Sequence, residues 1–174
     1  MTRLFELFFA TFILLLVFIP MIIIALIVKI SSKGPVIHFS KRIGKNNKIF
    51  FMPKFRTMKL NTPQIDTNNF KNSESYVTLF GSYLRKYSLD ELPQIFCIIN
   101  NTMTFIGPRP ALYNQYDLIA LREKYLINLT KPGITGWAQI NGRDNLTIEK
   151  KVELESFYLK NKKLLLILKI LYKT

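Results

Sequence analysis

One cysteine and one histidine in 174 residues remove several chemistries at once. A lone Cys97 excludes an internal disulfide and argues against a secreted, stapled fold. A lone His38 excludes a zinc site built from several His and Cys side chains. Acid is scarce as well: 11 Asp and Glu stand against 25 Lys and Arg, a net charge of +14. Such an excess suits an anionic partner, whether nucleic acid, anionic lipid or a phosphorylated substrate, and does not choose among them. There is no internal repeat and no low-complexity tract. The length allows one modest domain with an appendage.

What the chain does have is a long apolar run. Leu7 to Val28 carries no charge, and about 20 such residues cross a bilayer as a helix. A signal peptide fits poorly, because Lys29-Ile30-Ser31-Ser32-Lys33 follows instead of a small-residue cleavage site. Membrane insertion is the expectation. Pro20 lies inside the run and removes a backbone donor, which allows a kinked spanning helix or a re-entrant hairpin breaking there. Lys29, Lys33, Lys41, Arg42, Lys45 and Lys48 predict a cytoplasmic downstream side.

Further along, Val36 to Ser40 and Ile49 to Phe55 read as short strands around a basic loop. Asn61 to Ser75 is polar and reads as a loop. Helices are predicted over Leu79 to Lys86, Ile95 to Ile99, Tyr113 to Tyr125 and Ile148 to Asn161. Lys131 to Trp137, with two glycines and a proline, reads as a loop, and Asn141-Gly142-Arg143 as a turn. Leu164 to Tyr172 is apolar but too short to span, which suits an interfacial helix or packing onto the domain.

The chemistry concentrates at Ser88-Leu89-Asp90-Glu91-Leu92-Pro93-Gln94 and Gly107-Pro108-Arg109-Pro110. Ser88 and Glu91 have capping-box spacing, so Asp90 and Glu91 are either first-turn acids that complement a helix dipole or functional carboxylates kept ionised there. An ionised aspartate can attack phosphorus. Adjacent carboxylates also suit Mg²⁺, which takes one or two of them together with substrate phosphates. Arg109, restrained by two prolines, suits bidentate phosphate recognition. Lys54 and Arg56, two apart in an expected strand, would share a face and offer a second phosphate contact; Arg143 is a weaker candidate of the same type. The sequons at Asn128 and Asn145 are read as chance.

These motifs together resemble the monotopic phosphoglycosyl transferases, the small bacterial sugar transferases. The resemblance runs from Arg3 to the C-terminus through Ser32-Lys33-Gly34-Pro35, Arg42-Ile43-Gly44-Lys45, Lys54-Phe55-Arg56-Thr57-Met58, Leu84-Arg85-Lys86, Lys131 to Trp137 and Asn141-Gly142-Arg143. It implies transfer of sugar-1-phosphate from a UDP-sugar to undecaprenyl phosphate, releasing UMP and initiating a surface glycan. It further implies Asp90 as nucleophile and Mg²⁺ ligand, Glu91 as proton or metal partner, and Arg109, Lys54, Arg56, Arg85 and Arg143 as phosphate contacts. The expected architecture is α/β, α-rich with a short β-hairpin. Residues 1–30 form the membrane segment, re-entrant or transmembrane, and residues 31–174 a single cytoplasmic catalytic domain at a bacterial cytoplasmic membrane. Partners are the donor, the lipid acceptor and membrane lipids, with no nucleic acid. The chain departs from the family pattern at Ile19, where serine is usual, and at Ser75 to Thr78, which lacks an arginine. Asn101 to Thr104 also lacks the usual acid. A degraded, membrane-tethered scaffold and a module binding anionic lipid or nucleic acid are the alternatives.

Overall fold

The computed structural model describes residues 3–60, 62, 73–142 and 145–174. It divides into two compact units, residues 1–40 with 51–99 and residues 41–50 with 100–174.

The first unit begins with helix α1, Arg3–Ser31, which is long and apolar enough to cross a membrane. The helix runs on through Pro20, so of the two readings left open there the chain does not break at the proline. A proline deletes one backbone donor, and the helix turns on either side carry the segment through. Only the two ends of α1 are buried. Glu6 and Ala10 are buried near the start, and Ile24 and Val28 near the end. Arg3 donates to the carbonyls of Ile98 at 2.8 Å and Ile99 at 2.7 Å, satisfying the last turn of helix α3, Ile95–Ile99. At the other end Ile24 and Val28, one helical turn apart, pack with Phe55 and Leu84. Between them Phe12, Leu15, Leu16, Phe18, Ile19, Ile22 and Ile23 are exposed.

Strands β1, Ile37–Ile43, and β2, Ile49–Phe55, form a two-stranded sheet. Helix α2, Leu79–Lys86, starts where the Thr78 hydroxyl accepts from the Gly81 amide at 3.0 Å. The predicted bounds of α2, α3 and β2 agree with the structure. Most of the polar stretch from Asn61 lies outside the described residues; Ser73–Tyr76 is a 3-10 turn.

The second unit contains a pairing that the sequence reading missed. Thr104–Ile106 (β3) runs parallel to Gly133–Thr135 (β4), with Thr104 opposite Gly133 and Ile106 opposite Thr135. The Lys131 to Trp137 stretch is therefore not all loop. Its glycines serve close approach, since a Cβ on Gly133 would lie 2.1 Å from the Gly107 amide nitrogen. Helices α4 (Tyr116–Lys124), α5 (Trp137–Ile140), α6 (Ile148–Lys160) and α7 (Leu164–Lys173) complete the unit. One core joins Ala111, Leu118, Ile127 and Val152, and another joins Ile106, Tyr158 and Ile170. Burial pushes the Tyr158 hydroxyl up to about 12, so it remains a neutral donor. α7 buries Ile170 and leaves Leu164, Leu165, Leu168, Leu171 and Tyr172 exposed. The architecture is helix-rich with two small two-stranded sheets, so the α-rich expectation holds in outline.

Candidate active site

Asp90 and Glu91 sit in a 3-10 turn, Leu89–Gln94, that leads into α3. The capping box anticipated at Ser88 and Glu91 is not formed. Ser88 has φ +55 and its side chain makes no capping bond; the Glu91 amide reaches the Ser88 carbonyl at 3.1 Å instead. A left-handed serine costs about 1–2 kcal/mol, and such strain is held where surrounding structure enforces it. Here it reverses the chain just before Asp90. Pro93, fully buried, precedes α3 as a proline at a helix entrance should.

The two carboxylates have different surroundings. Glu91 accepts from Lys54 Nζ at 2.6 Å, in a largely buried ion pair. Asp90 is only 7% exposed, and this burial raises its pKa above the ordinary carboxylate value. Lys54 and Arg85 pull the other way, and the Glu91 charge adds to the rise. Burial thus works against the helix terminus and cationic neighbours that favour the ionised form. Arg85 is exposed, and its Nε donates to the Thr57 hydroxyl at 2.9 Å.

Lys54 and Arg56, expected as a pair on one strand face, have different partners. Arg56 falls just beyond β2 and is 7% exposed. Its Nη2 donates to the Ser32 carbonyl at 2.8 Å and hydroxyl at 2.7 Å, tying it to the turn after α1. Lys54 turns to Glu91. Lys54, Arg85, Asp90 and Glu91 are thus gathered in the first unit, while Arg56 serves the end of α1.

Arg109 belongs to the second unit and is half-buried. Its carbonyl accepts from Arg122 Nη2 at 2.8 Å. Arg122 also donates to both Glu155 oxygens, at 2.8 and 2.5 Å. The sequence reading missed this buried pair. Its signal was a charge within an apolar helical stripe, Arg122 four residues after Leu118 and Glu155 between Val152 and Tyr158. Arg143 lies outside the described residues.

Among the described residues no group of three or more Asp, Glu, His or Cys side chains is gathered. A hard dication taking one carboxylate and completing its shell with phosphate and water fits Asp90.

The sequence model for bacterial sugar transferases matches residues 1–174. A UDP-glucose:undecaprenyl-phosphate glucose-1-phosphate transferase of Escherichia coli K12 is 40% identical over 172 residues, covering 95% of this chain and 37% of its own length. The Bacillus subtilis sugar transferase EpsL, uncharacterized, is 38% identical over 170 residues, covering 97% of this chain and 82% of its own. An Aeromonas hydrophila UDP-N-acetylgalactosamine-undecaprenyl-phosphate N-acetylgalactosaminephosphotransferase is 35% identical over 160 residues, covering 88% and 38%. This chain spans about a third of the length of the curated glucose-1-phosphate transferases that it matches, 34% and 37%.

Proposed function

The chain belongs to the bacterial sugar transferase family, and from that premise we propose that it moves sugar-1-phosphate from a UDP-sugar to undecaprenyl phosphate. The observation that carries the reading is Asp90, a buried carboxylate with raised pKa beside Lys54 and Arg85. A carboxylate stripped of most of its water, with cations close enough to receive phosphate oxygens, is equipped to attack phosphorus. An Asp90 oxygen forms a bond to the β-phosphorus, and the bond from that phosphorus to the UMP oxygen breaks. An oxygen of the lipid phosphate then attacks the same phosphorus and releases Asp90. Lys54 holds Glu91 by the nucleophile and compensates the charge, and Arg85 takes phosphate oxygens there; Arg109, in the second unit, is a phosphate contact in its own right. Were Mg²⁺ bound, Asp90 would be the residue to hold it, and the ion would supply charge neutralisation of the leaving group.

The acceptor is a lipid, and α1 supplies the approach to it. A straight helix of 29 residues is about 43 Å long. Here the fully buried residues lie towards the two ends, and in the middle one face, Ile13, Leu14 and Val17, is half-buried while Phe12, Leu15, Leu16, Phe18 and Ile19 are exposed. That pattern suits a helix that bows into the bilayer and returns to the same, cytoplasmic face. The exposed leucines of α7, rimmed by Lys163, Lys169 and Lys173, suit an interfacial position. In oriented proteoliposomes Leu4→Cys and Lys33→Cys should react with an impermeant maleimide from the same side. Reaction from opposite sides would mean a spanning helix.

The function itself is tested by UMP release from a panel of UDP-sugars by the reconstituted protein with Mg²⁺. Release that depends on undecaprenyl phosphate is expected with at least one sugar. Release without any lipid acceptor would indicate a nucleotide-sugar hydrolase, and no release in folded, lipid-embedded protein would favour a scaffold.

A further inference from the structure

We infer that Arg122, held by Glu155, is a positioning residue that fixes the direction in which Arg109 presents its guanidinium. The inference rests on the reading of Arg109 as a phosphate-binding residue. A peptide plane is rigid, so a residue's direction is set by the two planes that flank it. The plane before Arg109 is anchored through the Pro108 carbonyl, which accepts from the Gly133 amide at 2.9 Å. The plane after it is anchored through the Arg109 carbonyl, which accepts from Arg122 Nη2 at 2.8 Å. The next two carbonyls are also held, Pro110 by Arg42 Nη1 at 3.2 Å and Ala111 by the Ile43 amide at 3.0 Å. The two prolines deprive this loop of amide donors, so it must be fixed through its acceptors.

Arg122 differs from the other anchors in being a buried charge. It is 7% exposed and Glu155 2%. An ion pair taken out of water gains little net stability, and apolar residues of similar volume often replace it without loss. Packing α4 against α6 therefore does not require these charges. The arrangement does give Arg122 one further use: Glu155 holds the guanidinium fork in place, and its Nη2 also donates to the one carbonyl that sets the dihedral of Arg109.

The test is a mutant cycle read as UDP affinity by calorimetry on the full chain in nanodiscs. Arg122→Met with Glu155→Leu removes both charges and keeps the volume. It should fold with a similar Tm and bind UDP about tenfold more weakly, as expected of a misdirected binding group. In an Arg109→Ala background the same pair should cause no further loss, because its effect passes through Arg109. Unchanged affinity in the folded pair, or a loss that multiplies with Arg109→Ala, would overturn the inference. If the pair fails to fold, Arg122→Lys keeps the charge opposite Glu155 without the guanidinium fork and is judged by the same two outcomes. Arg109→Ala with wild-type UDP affinity would overturn the phosphate role and this inference with it. Normal UDP binding without UMP release would overturn the transferase reading alone, leaving the cycle decisive for Arg122.

Discussion

Asp90→Asn should abolish UMP release while raising thermal stability. The loss follows from removal of the attacking oxygen and is expected on the order of 10³-fold or more, the scale seen when a covalent nucleophile is deleted. The gain follows from the direction of the pKa shift. Burial raises the folded-state pKa of Asp90 above its ordinary value. Between the unfolded and folded values the native state binds more protons than the unfolded one, so stability falls as pH rises through that window. Above it the ionised, desolvated carboxylate is a standing cost, which a neutral amide of the same shape removes. The Tm difference between Asp90→Asn and wild type should therefore widen from acid to neutral pH. Activity in the wild type should fall on the acid side at a higher pH than an ordinary aspartate would dictate, since attack needs the ionised form. Equal Tm at neutral pH would contradict the desolvation argument, and UMP release that persists in the variant would remove Asp90 from the nucleophile's role.

Gly133→Ala should be the most damaging single-methyl substitution in the second unit. The new Cβ would lie 2.1 Å from the Gly107 amide nitrogen and 2.7 Å from its Cα. Both are backbone atoms, so no side chain can rotate away. The clash falls in the β3–β4 pairing and beside the bond from the Gly133 amide to the Pro108 carbonyl. Relief requires the strands to part, at a cost of about 3 kcal/mol, the upper part of the range for overpacked interiors. For a chain of this size that lowers Tm by roughly 6–12 °C. Because the same movement shifts Pro108, weakened UDP binding should accompany the loss of stability. A variant with unaltered Tm would show that the two strands do not approach this closely.

Much of the local structure was legible in the residues. Leu79 to Lys86 and Ile95 to Ile99 read as helices and Ile49 to Phe55 as a strand, with the bounds the structure has. The dyad and the proline-bracketed arginine were also visible, because their residue types are rare in combination. β4 escaped, since two glycines and a proline read as breakers when nothing local reveals a second strand approaching closely. The capping box escaped for the opposite reason: Ser88 and Glu91 have the spacing, but spacing carries no φ, and φ +55 at Ser88 undoes it. Lys54 and Arg56 were paired by strand periodicity, which ends at Phe55, so each found its own partner.

The sequence by itself determined an apolar N-terminal helix, a strongly cationic chain, a local helix-rich pattern and the family, because composition, periodicity and ordered motifs are properties of the chain alone. Only the tertiary structure decided that Asp90 is desolvated, that Glu91 is taken by Lys54, and that Arg109 is held from behind by Arg122 and Glu155. The pairings join residues 13 to 37 positions apart, and the strength of a charge in a protein is set by the water and partners that folding removes or brings to it.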